Sequence, residues 1–456
     1  MAEVNSPSLT ERKPLSQIFK DLITPIKTVS FSSKVWDRFL ILIIIWGTFA
    51  YIHQLQSGLG ITAMRDYSTW GVYISNFVFL VAVSLVGFLL TAILKLTGIK
   101  WATPISRIAE LVAVAAVMFA GLSIIVDMGR PDRIHHIPLH GRFSSPIVWD
   151  ITVVNIYLIM SVIMLYLPMI PDLAILRDRY TDAPSWKKKL YTLLALDWKG
   201  TDEQYKLLNR ANRIMMILIM PVALGIHTVT SWLFAVNSRT GWDSTIFGPY
   251  FVSGAFVAGT AAVIIAMYVY QRAYKLDAYI TGKHWDMMGK LLVLVSLVYL
   301  YFNINEFLVP GYKMKKLDAE HIRALFVGHE APLFWSVQIL GMIIPIILLI
   351  FKPFRKPLPM MIIALFVLVG GWLKRFLIVV PTQFHPTFPI QNVPENFMVY
   401  HPTLAEISIT LALIAGVLLI MTWFVRLFPI IPIWEIAHEE GYHQVEEEAK
   451  KPESAE

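Results

Sequence analysis

The chain has 456 residues, of which 56% are hydrophobic and only 16% are charged, and its mean hydropathy is +0.59. Soluble domains carry about 25% charged residues, so this composition excludes an ordinary soluble domain and indicates a chain that lies mainly in lipid. Cysteine is absent, which excludes disulfides, thiolate nucleophiles and cysteine-ligated iron–sulfur clusters within this chain.

Apolar segments long enough to cross a bilayer recur along almost the whole sequence. A membrane helix needs about 20 mainly apolar residues to cross a hydrocarbon core about 30 Å thick. We therefore predict an all-α, polytopic membrane protein with ten transmembrane helices, called spans 1 to 10 below. In chain order they are Trp36–Leu55, Trp70–Leu96, Ile105–Val126, Ile147–Pro168, Arg213–Val236, Phe247–Tyr270, Trp285–Val309, Pro332–Phe351, Pro357–Val380 and Pro402–Phe428.

The distribution of Lys and Arg predicts the orientation of these spans. With the N-terminus in the cytoplasm, 28 of the 39 Lys and Arg residues fall on the inner side and 11 on the outer side, as the positive-inside rule requires. We therefore expect a bacterial inner (cytoplasmic) membrane protein with both termini in the cytoplasm. The net charge of +7 then reflects topology and contact with lipid, and nucleic-acid binding is not expected.

The longest inner connection covers residues 173–212 and contains the basic run Lys187–Lys189. Within it, Thr201 and Gln204 have the spacing of a capping box, which marks the start of a helix. We expect a short helix that lies on the membrane surface.

A weak internal repeat aligns the start of span 2, "WGVYISNFVFLVAVS", with the start of span 6, "FGPYFVSGAFVAGTA". Spans 2–5 and 6–9 are thus predicted to form two four-helix bundles flanked by spans 1 and 10. The alternative is that the shared small residues serve only helix packing. The predicted boundaries are 1–35 for a cytoplasmic N-terminal arm, 36–430 for the membrane domain, about 70–236 and about 247–380 for its two bundles, and 431–456 for an acidic cytoplasmic tail.

Ionisable residues concentrate in and around the outer loop after span 3, "DMGRPDRIHHIPLHGRFSSPIVWD". At membrane depth such residues cost about 3 kcal/mol each on insertion scales, so they are candidates for function. Asp127 and Arg130 are either part of a site or an ion pair that holds the loop, and His140 lies in the same loop. Asp150 lies about one turn inside an apolar span, where a carboxylate needs a partner or a task, and we favour a functional role for it.

Other polar residues converge on the outer side from spans 5, 7, 9 and 10. Most have a structural alternative, either an interhelical hydrogen bond or, for the cations of span 9, snorkelling to lipid phosphates. Glu110 lies near the inner end of span 3, where it is either an interfacial carboxylate or a proton-uptake group. The outer residues are His227, Tyr299, Asn303, Glu306, Lys374, Arg375 and Glu406.

Histidine positions argue against a redox centre in this chain. A b-type cytochrome needs pairs of histidines that face each other inside the bilayer, and only His227 lies clearly at depth. No zinc-type ligand spacing is present. We expect no haem, no iron–sulfur cluster and no bound metal here, so any one-electron centre belongs to a partner.

Five segments resemble the NrfD and polysulfide-reductase membrane-subunit family: "DMGRPDR", "SPIVWD", "IPDLAILRDR", "HTVTSW" and "GWDSTIFGPYF". The resemblance covers about residues 36–430, and within the family it extends to the ActC subunits of bacterial alternative complex III. It implies a subunit that is not catalytic alone and that oxidises menaquinol or ubiquinol near the outer face. The implied partners are an iron–sulfur subunit, a multihaem cytochrome c, a second homologous membrane subunit and a terminal oxidase, with proton translocation as an implied addition.

The resemblance also assigns roles to residues. Quinol oxidation releases two protons, so the site needs an acceptor within hydrogen-bond reach of a quinol hydroxyl. We expect Asp150 to be this base, His140 to relay protons to the outer water, and Arg375 to keep the carboxylate charged and orient the ring. Tyr73, Asn76, Asp127 and Arg130 are predicted to line the quinol site, and Glu110, His227, Glu306 and Glu406 are candidates for a proton path.

One position departs from the family pattern, because Trp232 is followed by Leu233 where an Asp is expected. A proton path through that carboxylate is therefore in doubt. Two other function classes stay open: a secondary transporter, whose buried charges usually lie near the midplane, and a structural anchor, whose polar cluster would be an assembly seam.

Overall fold

The computed structural model of the chain describes residues 14–27, 31–386 and 390–440. These residues form helices and no strands, and ten of the helices are long and apolar enough to cross a membrane, which confirms the predicted fold class. The spans are Ser32–Ser57, Val72–Leu96, Thr103–Asp127, Pro146–Arg179, Asp202–Ala235, Phe247–Tyr274, Gly282–Lys313, Ala331–Ile350, Pro357–Phe384 and Leu404–Leu427.

Inner and outer name the two ends of the spans according to the predicted orientation, which stays a prediction. Spans 4 and 5 extend further on the inner side than their hydropathy predicts. Span 4 continues to Arg179, and span 5 begins at Asp202. The predicted capping box of Thr201 and Gln204 is formed, but it begins span 5 instead of a separate surface helix. At 1.5 Å per residue, a 34-residue helix is about 51 Å long, so span 5 reaches well beyond the hydrocarbon core. The short inner helix is Ser185–Leu194.

Spans 2 and 6 form the centre of the membrane domain. Span 2 packs against spans 3, 5, 6 and 9, and most of its side chains are buried. Gly259 lets spans 2 and 6 approach closely, because a Cβ atom at this position would lie 2.7 Å from Cγ2 of Val86. Small residues at such crossings are the usual basis of close helix packing in membranes.

The contacts between spans form two rings. Span 2 contacts span 3, span 3 contacts span 4, span 4 contacts span 5, and span 5 returns to span 2; spans 6 to 9 form a second ring in the same way. Span 10 packs on span 1 and on spans 2 and 3, beside the first ring. This pattern supports the predicted two four-helix bundles, which stay a prediction.

Two short helices cover the inner end of the domain. The helix Leu15–Lys27 buries one apolar face and packs on span 10 and on the helix Ile433–Glu439. The first part of the predicted acidic tail is therefore packed on the membrane domain: Lys95 lies 2.8 Å from Glu435, and the Thr103 hydroxyl donates to Glu439 at 2.6 Å. Residues 1–13 and 441–456 lie outside the described part of the chain.

A buried ion pair joins span 3, span 4 and the C-terminal helix. Nη1 of Arg107 lies 2.6 Å from Oδ2 of Asp172, and both side chains are at most 1% exposed. The Asp172 carboxylate also accepts the backbone N–H groups of Ile433 and Trp434, at 3.1 and 2.9 Å. Arg107 donates in addition to the Pro429 carbonyl at 3.0 Å. Each charge thus has several partners, as burial requires.

Candidate functional site

Asp150 lies in the first turns of span 4 and faces span 5. It is 2% exposed, and one carboxylate oxygen accepts the hydroxyl of Thr230 at 2.5 Å. Pro146 begins the span, where its fixed φ suits the first helical turn. The helix start therefore places a carboxylate below the outer surface, inside the helix packing.

His227 and Arg375 bring two further polar groups to the same side of the bilayer. Both side chains are at most 3% exposed, and His227 Nε2 and Arg375 Nε have no hydrogen-bond partner within the described residues. The Arg375 guanidinium lies 5.2 Å from the Phe251 ring centre. It also touches span 6 at Gly254, where a Cβ atom would lie 2.6 Å from Nη2. Buried unpartnered atoms of this kind are where a ligand or an ordered water is expected.

The predicted pairing of Arg375 with Asp150 is not among the ion pairs of the described residues. Arg375 instead points toward span 6 and the interior of the second ring. We therefore retain a role for Arg375 in binding, whereas its predicted role in keeping Asp150 charged has no support from the geometry. Asp150, His227 and Arg375 are called the outer cluster below.

Lys374 turns inward and does not snorkel to the lipid surface. Its ammonium lies 2.8 Å from Glu306 and 4.6 Å from the Phe307 ring centre, and the Lys374 and Glu306 side chains are 4% and 11% exposed. Asn303 donates to Gln338 at 2.7 Å and accepts from the Tyr250 hydroxyl at 3.0 Å. The Lys374 ammonium also lies 5.8 Å from the Tyr250 ring centre, so spans 6 to 9 share one polar network in their outer half.

Two cavities adjoin this ion pair. A cavity of about 200 Å³ on the outer side has Glu306, Asp243, Lys313 and His321 in its wall. A second cavity of about 20 Å³, beside Lys374 and Arg375, is large enough for about one water. The Glu306–Lys374 pair thus connects the walls of the two cavities.

His321 belongs to the outer helix Lys316–Phe326, outside the spans. Burial, together with the neighbouring His385 ring, lowers the pKa of His321 to about 3. The ring is therefore neutral at physiological pH, and its Nδ1 atom has no partner within the described residues. Sequence reasoning placed this histidine in a loop and gave it no role.

Tyr73 and Asn76 make hydrogen bonds between spans. The Tyr73 hydroxyl donates to Gln54 at 2.7 Å. The Asn76 amide donates to Thr410 at 2.8 Å and accepts the Trp372 indole N–H at 2.8 Å. Neither residue lines the two cavities, so the structure connects these predicted site residues with helix packing.

Glu406 holds the outer loops together. It accepts the hydroxyl of Tyr400 at 2.5 Å and the backbone N–H groups of Ala63 and Thr403 at 2.9 Å each. Burial and the Glu406 charge raise the pKa of Tyr400, which lies outside the spans. Asp127 lies near this carboxylate, and its Oδ1 atom is buried without a hydrogen-bond partner in the described part of the chain.

His140 and Arg130 lie on the outer surface. Arg130 is paired with Asp132 at 2.9 Å, and these side chains are 64% and 59% exposed. His140 is exposed, with its ring centre 5.3 Å from that of His136. The described contacts do not connect either residue with Asp150.

Glu110 is buried near the inner ends of the spans, where the charges of Lys95, Glu435 and Arg107 act on it. It therefore lies near the opposite ends of the spans from the outer cluster.

Gln338 was missed by sequence reasoning, although a polar residue inside the apolar segment "FWSVQILGMIIP" was the available signal. The described residues contain no group of three or more His, Cys, Asp or Glu arranged to hold a metal ion.

Comparison with known proteins finds similar membrane subunits of other oxidoreductases. A selenate reductase subunit of Mesobacillus selenatarsenatis is 27% identical over 408 residues, which cover 87% of this chain and 94% of that protein. The Hdr-like menaquinol oxidoreductase integral membrane subunit of Archaeoglobus fulgidus is 23% identical, with coverages of 85% and 90%. The menaquinone reductase integral membrane subunit of Nitratidesulfovibrio vulgaris is 22% identical, with coverages of 87% and 92%.

A family model described as polysulphide reductase, NrfD, matches residues 60–387. The match begins before span 2 and continues past the end of span 9, so it includes the whole outer cluster and the Glu306–Lys374 pair, whereas Glu406 lies beyond it. Because this region is well over half of the sequence, the chain belongs to the polysulphide reductase NrfD family.

Proposed function

We propose that this chain is the quinol-binding membrane subunit of an electron-transfer complex, and that quinol is oxidised in its outer half. The observation that carries the proposal is the outer cluster. Its buried carboxylate, Asp150, is bonded to Thr230, one helical turn from His227. His227 Nε2 and Arg375 Nε are buried without a hydrogen-bond partner in the described part of the chain. A quinol headgroup needs hydrogen-bonding groups inside an apolar wall, which is how small-molecule sites are built. Two relatives whose names contain menaquinol or menaquinone also support a quinone or quinol as the ligand.

The reaction sets the demands on the site. A quinol that loses two electrons to a partner also loses two protons, and each proton needs an acceptor within hydrogen-bond reach. Asp150 is the proposed first acceptor, since its carboxylate has one described side-chain donor, Thr230. His140 is the proposed relay to the outer water, and His227 offers a buried ring nitrogen that has no partner within the described residues.

The finer identity of the complex is also a proposal. Resemblance to ActC subunits favours an alternative complex III type of assembly, with an iron–sulfur subunit as the electron acceptor and a multihaem cytochrome c, a second homologous membrane subunit and a terminal oxidase as further partners. The names of the relatives include both a menaquinol oxidoreductase and a menaquinone reductase. The direction from quinol to acceptor rests on the ActC resemblance. Proton translocation would use Glu306 and Lys374, whose ion pair lies between two cavities.

A secondary transporter is the second candidate. Its support is the pair of four-span rings and the buried charges. Against it, the outer cluster and the Glu306–Lys374 pair lie toward one side, whereas transporter sites usually lie at the midplane between broken helices. Purification in mild detergent distinguishes the two candidate functions, since iron–sulfur and haem proteins should accompany an electron-transfer subunit.

Binding of a quinone analogue tests the proposed function directly. Arg375→Gln is expected to raise the dissociation constant of the analogue about tenfold or more, because a hydrogen bond from a charged donor contributes about 1.5 to 3 kcal/mol. The matched control is Arg133→Gln, since Arg133 is an exposed cation of the outer loop. Titration of the purified complex, followed by quenching of tryptophan fluorescence, measures both. Equal affinity for the unmodified protein and Arg375→Gln would contradict the role of Arg375, and no binding to the unmodified complex would contradict the function.

The proposed orientation has its own test, which is simple because the chain contains no cysteine. Leu139→Cys introduces a thiol in the outer loop, where Leu139 is 69% exposed. We expect a membrane-impermeant maleimide to label it in spheroplasts. Asp197→Cys, in the inner connection, should be labelled only after the membrane is permeabilised. The opposite pattern would reverse the topology and place both termini outside.

A further inference from the structure

An apolar groove of about 630 Å³ runs along the lipid-facing side of the membrane domain between spans 5 and 7. Span 6 forms the floor of the groove, because it packs against span 2 and most of its side chains are buried inside the protein. Its walls include Leu224 and Thr228 of span 5 and Val298 of span 7, and its floor includes Val252 and Ser253. The groove therefore lies where the two rings of spans meet.

The two hydroxyl groups that line the groove already have hydrogen-bond partners. The Thr228 hydroxyl donates to the Leu224 carbonyl at 2.9 Å, and the Ser253 hydroxyl donates to the Tyr250 carbonyl at 2.9 Å. Both hydroxyls are thus bonded within their own helices, and all other lining side chains are apolar. A ligand of this groove gains most from an apolar chain.

The groove and the outer cluster meet at adjoining faces of spans 5 and 6, because neighbouring residues on a helix point about 100° apart. Thr228 lines the groove, and the preceding residue, His227, is buried with no partner for its Nε2 atom among the residues that the structure describes. Ser253 lines the groove, and the following residue, Gly254, touches the Arg375 guanidinium. One residue step along either helix therefore leads from an apolar surface to a polar one.

We propose that this groove binds the isoprenoid tail of the quinol whose headgroup is bound at the outer cluster. The proposal rests on the proposed function and adds to it the path by which the substrate arrives from the lipid. Its volume is about four times the roughly 150 Å³ that holds benzene, so several isoprene units fit. A substrate with a polar ring and a long apolar chain needs two such surfaces side by side.

The test compares two quinols that share a headgroup, one with a long isoprenoid tail and one without a tail, in the assembled complex. Val298→Trp fills the groove from span 7. We expect the KM for the long-tailed quinol to rise about tenfold, which corresponds to about 1.4 kcal/mol, and the KM for the tailless quinol to stay unchanged. Unchanged turnover of the tailless quinol also shows that the variant is folded.

The matched control is Ile304→Trp on the same helix. Ile304 is 53% exposed and Val298 is 46% exposed, but Ile304 does not line the groove. Ile304→Trp should leave the KM for both quinols unchanged. If the two variants behave alike, or if Val298→Trp affects both quinols equally, the groove does not hold the tail.

Native mass spectrometry adds a second readout, for a phospholipid in the groove. A bound phospholipid that is lost from Val298→Trp, without a tail-dependent change in KM, would also overturn the proposal. An unmodified complex that oxidises neither quinol would overturn the proposed function together with the groove proposal. An active complex without a tail effect overturns the groove proposal alone.

Discussion

Asp150→Asn is expected to leave the complex assembled and to lower quinol oxidation by about 10²- to 10⁴-fold, the range for loss of a positioned base. Asn keeps the size of the side chain and its Oδ1 atom still accepts the Thr230 hydroxyl, which now lies 2.5 Å from the carboxylate. The amide cannot take up a proton from the quinol. Steady-state turnover with a saturating quinol, together with the spectra of the partner cofactors, measures the effect and confirms assembly.

The control for Asp150 is Asp132→Asn. Asp132 is an outer carboxylate that is 59% exposed and paired with Arg130, so its loss removes the same charge from the same side without touching the outer cluster. We expect turnover near the unmodified value. An assembled Asp150→Asn complex with turnover as high as the control would show that Asp150 serves helix packing, and the base would then be sought at Glu306 or His227.

Asp172→Asn is expected to cost about 3 to 5 kcal/mol of stability, the usual result of removing one partner from a buried ion pair. The Arg107 guanidinium is 1% exposed and would stay buried without its counter-charge. The substitution also weakens acceptance of the Ile433 and Trp434 backbone N–H groups, so the C-terminal helix should detach from the inner end. A fall in the thermal unfolding midpoint in detergent measures the first effect, and faster proteolysis near Trp434 measures the second.

Asp178→Asn in the same helical segment is the matched control. Asp178 pairs with Arg177 at 2.8 Å, but these side chains are 38% and 24% exposed, and exposed ion pairs contribute about 1 kcal/mol or less. The unfolding midpoint should therefore change little. An equal fall in the unfolding midpoint of both variants would mean that the Arg107–Asp172 pair contributes no more to stability than the exposed pair.

Hydropathy was sufficient for the number of spans because the hydrocarbon core requires a continuous apolar stretch wherever the chain crosses it. It was insufficient for the inner ends of spans 4 and 5, which continue to Arg179 and back to Asp202. Beyond the hydrocarbon core a helix no longer needs apolar residues, so the polar segments "PDLAILRDR" and "DEQYKLLNR" carried no signal of continuation. The capping box at Thr201 was correctly recognised, and its helix was longer than expected.

The polar residues of the outer side were visible in the sequence because charges are rare and costly in apolar spans. Their partners were not visible. Lys374 and Arg375 are adjacent in the chain, yet one pairs with Glu306 of span 7 and the other touches Gly254 of span 6. Neighbouring residues on a helix point about 100° apart, so each meets a different helix, and the packing of the spans decides which one.

Composition, hydropathy and the motifs established a ten-span membrane protein of the NrfD type, since these features depend on local chain properties and their order along the chain. The Asp150–Thr230 hydrogen bond and the Arg107–Asp172 ion pair depend on tertiary packing. Asp150 and Thr230 are 80 residues apart, and Arg107 and Asp172 are 65 residues apart. Spans that are apolar on every side leave their rotation unspecified, so only the packed bundle determines which buried polar groups meet.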